Sequence, residues 1–162
     1  MNGTGLEARR AFLFRVVGRE AELLATTDAR VFVSPFTVER ARLLAVDVEE
    51  SERVEAFVAR FSRLQDSLGD KLLPLLLASL GEPVGAVIDN LDRAERLGFL
   101  ASADAWMAVR RLRNRMVHEY VEDPVLLADS LNEGHARVPM LLQAEQAMRA
   151  EGRRRGWIPG GA

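Results

Sequence analysis

The sequence predicts an all-helical protein of about five helices, packed as an up-and-down bundle. Between residues 47 and 80, apolar side chains recur at spacings of three and four, as on the buried face of one long helix; they are Phe57, Phe61, Leu64, Leu68, Leu72 and Leu75. No segment gives a credible sheet, since residues 30–35 read better as an extended connection than as a strand. The 162 residues, 48% of them hydrophobic, suffice for one domain with a sizeable core.

Two helices are predicted before this long one. The first covers residues 6–25, with Gly18 as a weak point and a break at residues 26–28. The second is short and covers residues 35–45, because Pro35 suits the first turn of a helix.

Proline and glycine divide the middle of the chain. Pro74 is expected to bend or break the long helix, and the Gly-Glu-Pro sequence at residues 81–83 to end it. The next helix is predicted over residues 84–97, with Gly98 as its C-terminal cap. Its inward face consists of Val87, Ile88, Leu91 and Ala94.

Two further helices complete the predicted bundle. Ser102 caps a helix over residues 103–120, whose buried stripe consists of Ala105, Val109, Leu112 and Met116. A last helix begins at Asp123-Pro124 and runs to about Gly152. Residues 1–152 are therefore predicted to form one domain, and the arginine-rich residues 153–162 a flexible tail.

Composition excludes several classes of protein. Without cysteine there is no disulfide framework, zinc ribbon or thiolate nucleophile, and two histidines leave little room for a metal site, so we expect no metal and no cofactor. A net charge of −2 argues against a broadly basic nucleic-acid-binding protein, although not against a local basic patch. The longest apolar run, residues 72–80, is too short to span a bilayer and no signal peptide is visible, which predicts a cytoplasmic protein without a membrane partner.

The most informative stretch is RRLRNRMVHEY, from Arg110 to Tyr120. On a helical wheel, Arg113 lies inside the apolar arc, where a guanidinium is costly to bury unless it is paired or faces a cleft. Asn114 and His118 are four residues apart and are therefore neighbours at the edge of that arc. One helix thus presents a guanidinium, an amide, an imidazole and a phenol along one side of its core stripe.

Each of these groups has a use in phosphodiester chemistry. The imidazole of His118 titrates near neutral pH and can remove or supply a proton, while Arg113 offers donors to a phosphate and to transition-state charge. Asn114 can orient the histidine or hold a phosphate oxygen. RNA carries its own nucleophile in the 2′-hydroxyl, so a metal-free ribonuclease needs little more. From periodicity alone, the alternative is a solvated arginine-rich face with an ordinary half-buried histidine.

The sequence RNRMVHEY at residues 113–120 resembles the Arg-x4-His-x-Tyr motif of the HEPN superfamily, in particular its HepT-like toxin branch. The resemblance covers about residues 50–150, with the motif near the end of the penultimate long helix. It implies a homodimer whose motif helices build a shared cleft. It also implies a metal-independent endoribonuclease with Arg113 and His118 as the catalytic pair and Asn114 in support.

The same resemblance implies a protein partner and a regulatory modification. HepT-like toxins are paired with a minimal nucleotidyltransferase antitoxin that attaches AMP units to the tyrosine of the motif, here Tyr120. The added bulk and negative charge beside the cleft would keep RNA out. Related HEPN proteins are instead non-catalytic subunits that dock a nucleotidyltransferase or bind nucleotide, and the motif does not separate these roles. A helical scaffold that dimerises through the motif helix is a third interpretation.

Three further residues are candidates for supporting roles in the cleft. Many HEPN proteins place an acidic or polar residue there from an earlier helix, and Asp66 and Asp70, one turn apart, fit that description. Solvated charges opposite the apolar stripe are an equally good interpretation of both. Arg110 lies on the same helical row as Asn114 and His118. Gln65 falls near the stripe, where it is expected to make a buried hydrogen bond.

Overall fold

The computed structural model describes residues 3–118 and 123–159, and within these ranges every regular element is a helix. The elements are α1 (Gly3–Val31), α2 (Val38–Leu43), α3 (Val48–Asp66), a π-helical segment (Ser67–Leu72), α4 (Leu73–Ser79), α5 (Val87–Arg96), α6 (Ala103–His118) and α7 (Pro124–Arg154). The all-helical class is therefore confirmed. Since α3, the π-helical segment and α4 follow one another without a gap, the described ranges contain six helical rods, where about five were predicted.

One apolar core holds these helices together. The predicted stripe on the long rod is fully buried from Phe57 to Leu72, and Leu75 is partly buried against the same core. α1 packs along α3 and α7, and α6 packs against α3, α5 and α7. None of the helices in the described ranges has the length and apolar character needed to cross a membrane.

Pro74 does not break the long rod. It lies in the first turn of α4, directly after the π-helical segment. A proline cannot donate to the carbonyl four residues before it, here that of Asp70. A π-helical turn bonds residues five apart, so the rod changes its bonding pattern just where the proline would interrupt an α-helix. The rod ends as predicted, with Gly81 at a φ of 74°.

Both predictions for the first two helices need correction. α1 does not stop at residues 26–28 but continues to Val31, because Thr27 is buried and its hydroxyl accepts a hydrogen bond from Arg60 of α3. This tertiary contact outweighs the weak helix propensity of threonine. α2 begins at Val38 rather than at Pro35, with Thr37 as its cap accepting from the backbone N–H of Arg40 at 3.0 Å.

The fourth predicted helix is also shorter than expected. α5 begins at Val87, and Gly98 follows it at a φ of 83°, which confirms the glycine cap. Leu91 and Ala94 are buried, but Val87 and Ile88 are 38% and 43% exposed. The inward face of α5 is therefore confined to its later turns, and the first turn was wrongly assigned to the core.

The last described residues contact the bundle. Arg153 still belongs to α7, and beyond it the half-buried Trp157 and Ile158 pack against the core. The guanidinium of Arg10 lies 4.0 Å from the centre of the Trp157 ring. The part of the predicted flexible tail that the structure describes thus follows the surface between the ends of α1 and α7.

Candidate functional site

α6 positions the motif. Ser102 caps it as predicted, its hydroxyl accepting from the backbone N–H of Ala105 at 3.0 Å. The face of α6 that enters the core is fully buried at Trp106, Val109 and Leu112, and Met116 is nearly so. Val117, the residue after Met116, is 43% exposed.

Arg113 lies at the boundary between this buried face and solvent. Its side chain is 29% exposed, and its Nη2 donates to Oδ2 of Asp66 on α3 at 3.0 Å. Its Nη1 donates to Oδ1 of Asn114 at 3.2 Å. A guanidinium at this position on the helical wheel needs a charged partner or a cleft, and Arg113 has both.

A second ion pair runs beside the first. Nη1 of Arg110 donates to Oδ1 of Asp70 in the π-helical segment at 2.7 Å. Asp66 and Asp70 are thereby brought together with Arg110 and Arg113, and the two pairs join α6 to the long rod one turn apart. With the acidic side chains 38% and 40% exposed, each pair is expected to contribute no more than about 1 kcal/mol to stability.

A cleft of about 390 Å³ opens between the long rod and α6. Its walls are formed by Gln65, Asp66, Asp70, Lys71, Arg110, Arg113 and Asn114. Three cations therefore face two carboxylates. Lys71, the only lysine of the chain, was missed in the sequence because the π-helical turn rotates side chains away from their positions on an α-helical wheel.

Buried hydrogen-bond donors without acceptors surround this cleft. The expected hydrogen bond of Gln65 does not form at its amide nitrogen, which is buried without a partner in the described part of the chain. The same holds for Nε of Arg113 and for the indole nitrogen of Trp106. A buried donor costs about 1–3 kcal/mol unless water or a ligand accepts from it, and two of these three donors belong to residues that line the cleft.

A carboxyl group that was not predicted lies next to the π-helical segment. Glu20 of α1 accepts a hydrogen bond from the hydroxyl of Ser67 at 3.1 Å, while its second oxygen is buried without a partner among the described residues. Burial raises the pKa of Glu20, and the nearby cations Lys71 and Arg63 only partly offset this effect. A lone glutamate in the middle of a helix carries no sequence signal of such an environment.

The arginines of α6 are less available than their number suggests. Besides the two pairs of the cleft, Arg115 pairs with Glu133 of α7 at 3.0 Å. Only Arg111 is left without an ion pair within the described ranges, so most of the predicted local positive charge is neutralised inside this chain. His135 serves packing, since its ring stacks on Phe32 at 4.3 Å and its Nδ1 lies 2.7 Å from Asp28.

Two predicted site residues lie wholly or partly outside the described residues. The backbone of His118 ends α6, but its side chain is not among the described groups. Tyr120 falls in the interval 119–122, which the structure does not describe. The catalytic pairing of Arg113 with His118 and the modification of Tyr120 therefore remain predictions.

Comparison of the chain with protein-family models, with curated proteins and with solved structures gives no match. The resemblance to HEPN proteins therefore depends on the motif residues and their setting. Among the residues that the structure describes, no group of three or more histidine, cysteine, aspartate or glutamate side chains is arranged to hold a metal ion.

Proposed function

We propose that this chain is a HEPN-type, metal-independent endoribonuclease of a toxin–antitoxin system, working as a homodimer. The observation that carries the proposal is the setting of Arg113. A guanidinium at the edge of the core, beside a cleft that also holds Arg110 and Asn114, sits within the Arg-x4-His-x-Tyr pattern. Such placement is expensive for a residue whose only task is to pack.

The proposed reaction uses the 2′-hydroxyl of RNA as the nucleophile. His118, acting as a general base, takes the proton as the 2′-oxygen attacks the adjacent phosphorus. The P–O5′ bond breaks, and the proton that His118 has taken returns to the leaving 5′-oxygen, directly or through a water molecule. Arg113 stabilises the charge on the phosphoryl oxygens, and Asn114 keeps the guanidinium and the imidazole in register. The products are a 2′,3′-cyclic phosphate and a 5′-hydroxyl.

A specific observation supports the second candidate, a non-catalytic subunit. Asp66 and Asp70 already occupy the two arginines of the cleft, so a phosphate must compete with a carboxylate for each guanidinium. A cleft of this kind suits a docking site for a nucleotidyltransferase or a nucleotide as well as it suits rapid catalysis. Asp66 in particular would have to release Arg113 when RNA enters.

Regulation follows from the position of the tyrosine. Tyr120 lies two residues after His118 in the sequence, so AMP units attached to its phenol would add negative phosphate charge next to the catalytic group. The nucleotidyltransferase would thereby act as the antitoxin. The intact mass after co-expression with such an enzyme is expected to rise by whole AMP units, and Tyr120→Phe is expected to abolish the rise.

The nuclease proposal is tested by expression of the wild type beside Arg113→Ala and His118→Ala, with Arg111→Ala as the matched control on the same helix. Growth arrest and RNA cleavage in the presence of EDTA are measured. The wild type and the control are expected to arrest growth and cut RNA, and both motif variants to do neither. A harmless wild type that leaves RNA intact would favour the non-catalytic subunit.

A further inference from the structure

A second cavity lies between α1 and α7 and shares no lining residue with the motif cleft. It is a groove of about 550 Å³, and four arginines and two glutamates are among the residues that line it. The arginines are Arg15, Arg19, Arg149 and Arg153. In a chain whose net charge is −2, this groove is a local excess of positive charge.

The charges are ordered along the groove. Arg15 and Arg19 are four residues apart on α1, and Arg149 and Arg153 are four apart on α7, so each helix presents a like-charged row. The helices run antiparallel here, because Arg149 contacts Phe14 and Gly18 while Gly152 contacts Phe14. One end of the groove therefore holds Arg15 and Arg153, and Glu22 and Glu145 lie toward the other end.

The like-charged rows are not explained by stability. Two arginines four residues apart repel one another by a few tenths of a kcal/mol on a helix surface. Arg19 pairs with Glu22, and Arg149 pairs with Glu145. Arg15 and Arg153 form no ion pair within the described part of the chain, so one arginine of each row has no acidic partner there. A negatively charged ligand would remove the repulsion at both rows at once.

Arg149 gives the groove a fixed anchor. Its side chain is only 22% exposed, its Nε donates to Glu145 at 2.7 Å and its Nη2 donates to the carbonyl oxygen of Phe14 at 3.1 Å. The remaining nitrogen, Nη1, makes no hydrogen bond to any described residue. A guanidinium already held in place loses little conformational entropy when it binds an anion.

Gly18 makes room for this anchor. A Cβ atom at residue 18 would overlap Nη2 of Arg149, and the backbone lies open only because glycine has none. The obstructed atom is the tip of a long side chain, so alanine at this position displaces the guanidinium and leaves the helix intact. Gly18, which has a low helix propensity, is therefore the residue of α1 that lets the groove accommodate Arg149.

We propose that the groove between α1 and α7 binds phosphate groups, with Arg149 as the preorganised donor and Arg15 and Arg153 as flanking cations. Arg149 has Nη1 left for one phosphate oxygen. Arg15 and Arg153 have no ion pair among the described residues, so each can donate the two parallel hydrogen bonds of the planar arginine fork to a phosphate. The phosphates come either from the backbone of single-stranded RNA or from a free nucleotide. This site is separate from the motif cleft and does not depend on the proposed nuclease activity.

The test measures binding rather than cleavage. A labelled single-stranded RNA of about 12 nucleotides is titrated by fluorescence anisotropy against His118→Ala protein, from about 50 to 200 mM salt. The same background then carries the double variant Arg15→Glu/Arg153→Glu, or Gly18→Ala. Arg96→Glu, an exposed arginine of α5, is the control for charge alone. ATP is titrated in parallel as the free nucleotide, and thermal melts verify the fold of each variant.

The double variant is expected to weaken binding at least about tenfold and to reduce the salt slope by about 1.4, which is two contacts at about 0.7 each. Gly18→Ala is expected to weaken binding without a change in net charge, and Arg96→Glu to have little effect. ATP binding that disappears in the same variants assigns the site to a nucleotide, and RNA binding alone assigns it to a strand. Affinities and slopes equal to those of the parent protein in both groove variants, or a parent that binds neither ligand, would overturn the proposal.

Discussion

Gly69→Ala tests the packing beneath the motif cleft. Gly69 lies in the π-helical segment, and a Cβ atom there would come within 2.9 Å of the indole nitrogen of Trp106 and 3.3 Å of its Cζ2. Trp106 is fully buried against the core, so its ring has no room to retreat. The substitution therefore forces the long rod and α6 apart at the point where their ion pairs lie.

The expected magnitude follows from two opposing effects. Alanine is favoured over glycine in a helix by about 1 kcal/mol, whereas overpacking a closed core costs about 1–3 kcal/mol. We expect a net loss of about 1 kcal/mol in the free energy of unfolding, against a gain of similar size if only helix propensity mattered. The two expectations differ by about 2 kcal/mol, which denaturant unfolding resolves.

A double-mutant cycle tests this packing argument, with the free energies of unfolding in urea measured for wild type, Gly69→Ala, Trp106→Phe and the double variant. Phenylalanine lacks the indole nitrogen and the fused ring atoms that the new methyl group would meet, so Gly69→Ala should cost less in the Trp106→Phe background. A favourable coupling of at least about 1 kcal/mol is expected. A Gly69→Ala protein as stable as the wild type, or a cycle without coupling, would refute the packing argument.

Three further predictions concern single contacts. Asp66→Asn should lower the free energy of unfolding by less than about 1 kcal/mol. In the His118→Ala background it should raise the affinity for RNA, because the carboxylate of Asp66 competes with phosphate for the guanidinium of Arg113. A lower affinity, measured by fluorescence anisotropy, would mean that Asp66 positions this guanidinium instead. The pKa of Glu20 is raised in the folded protein, so the folded state holds its proton more tightly than the unfolded state does. The free energy of unfolding of the wild type should therefore fall as the pH rises from about 4 to 7. Over the same pH interval, the stability of Glu20→Gln relative to wild type should increase. A difference in the free energy of unfolding between wild type and Glu20→Gln that is the same at every pH from about 4 to 7 would contradict this prediction. Asn132→Ala removes both hydrogen bonds to the backbone of Phe36, each 2.8 Å long, and should lower the free energy of unfolding in urea by about 1–3 kcal/mol. Gln143→Ala, at an exposed position on the same helix, should have no effect. Equal effects of the two substitutions would show that these hydrogen bonds do not contribute to stability.

Periodicity sufficed for the parts of the fold that depend on local pattern. The apolar stripe of the long rod, the Ser102 cap and the glycine cap after α5 follow from side-chain spacing and backbone preference alone. The continuation of α1 past Thr27 could not be predicted, because it depends on a hydrogen bond from Arg60, more than thirty residues away in the chain.

The candidate site divides in the same way. The helical wheel indicated that Arg113 needs a partner, but it could not select Asp66 over other acidic residues, since the choice depends on how α3 and α6 pack. Lys71 could not be placed because a π-helical turn breaks the 3.6-residue period on which the prediction depends. Glu20 could not be found because its burial depends on how α1 packs against that segment. The groove between α1 and α7 could not be predicted for a different reason. Its two arginine rows come from opposite ends of the chain, and only the packing of these helices brings them together.

Cleavage of a labelled RNA in the presence of EDTA, compared with the same strand carrying 2′-deoxyribose at the cleaved positions, tests the central proposal most directly. The wild type should cut only the RNA and leave a 2′,3′-cyclic phosphate, and Arg113→Ala and His118→Ala should leave it intact. An RNA that stays whole with the wild type, or a deoxy strand that is cut equally well, would contradict a nuclease that depends on the 2′-hydroxyl.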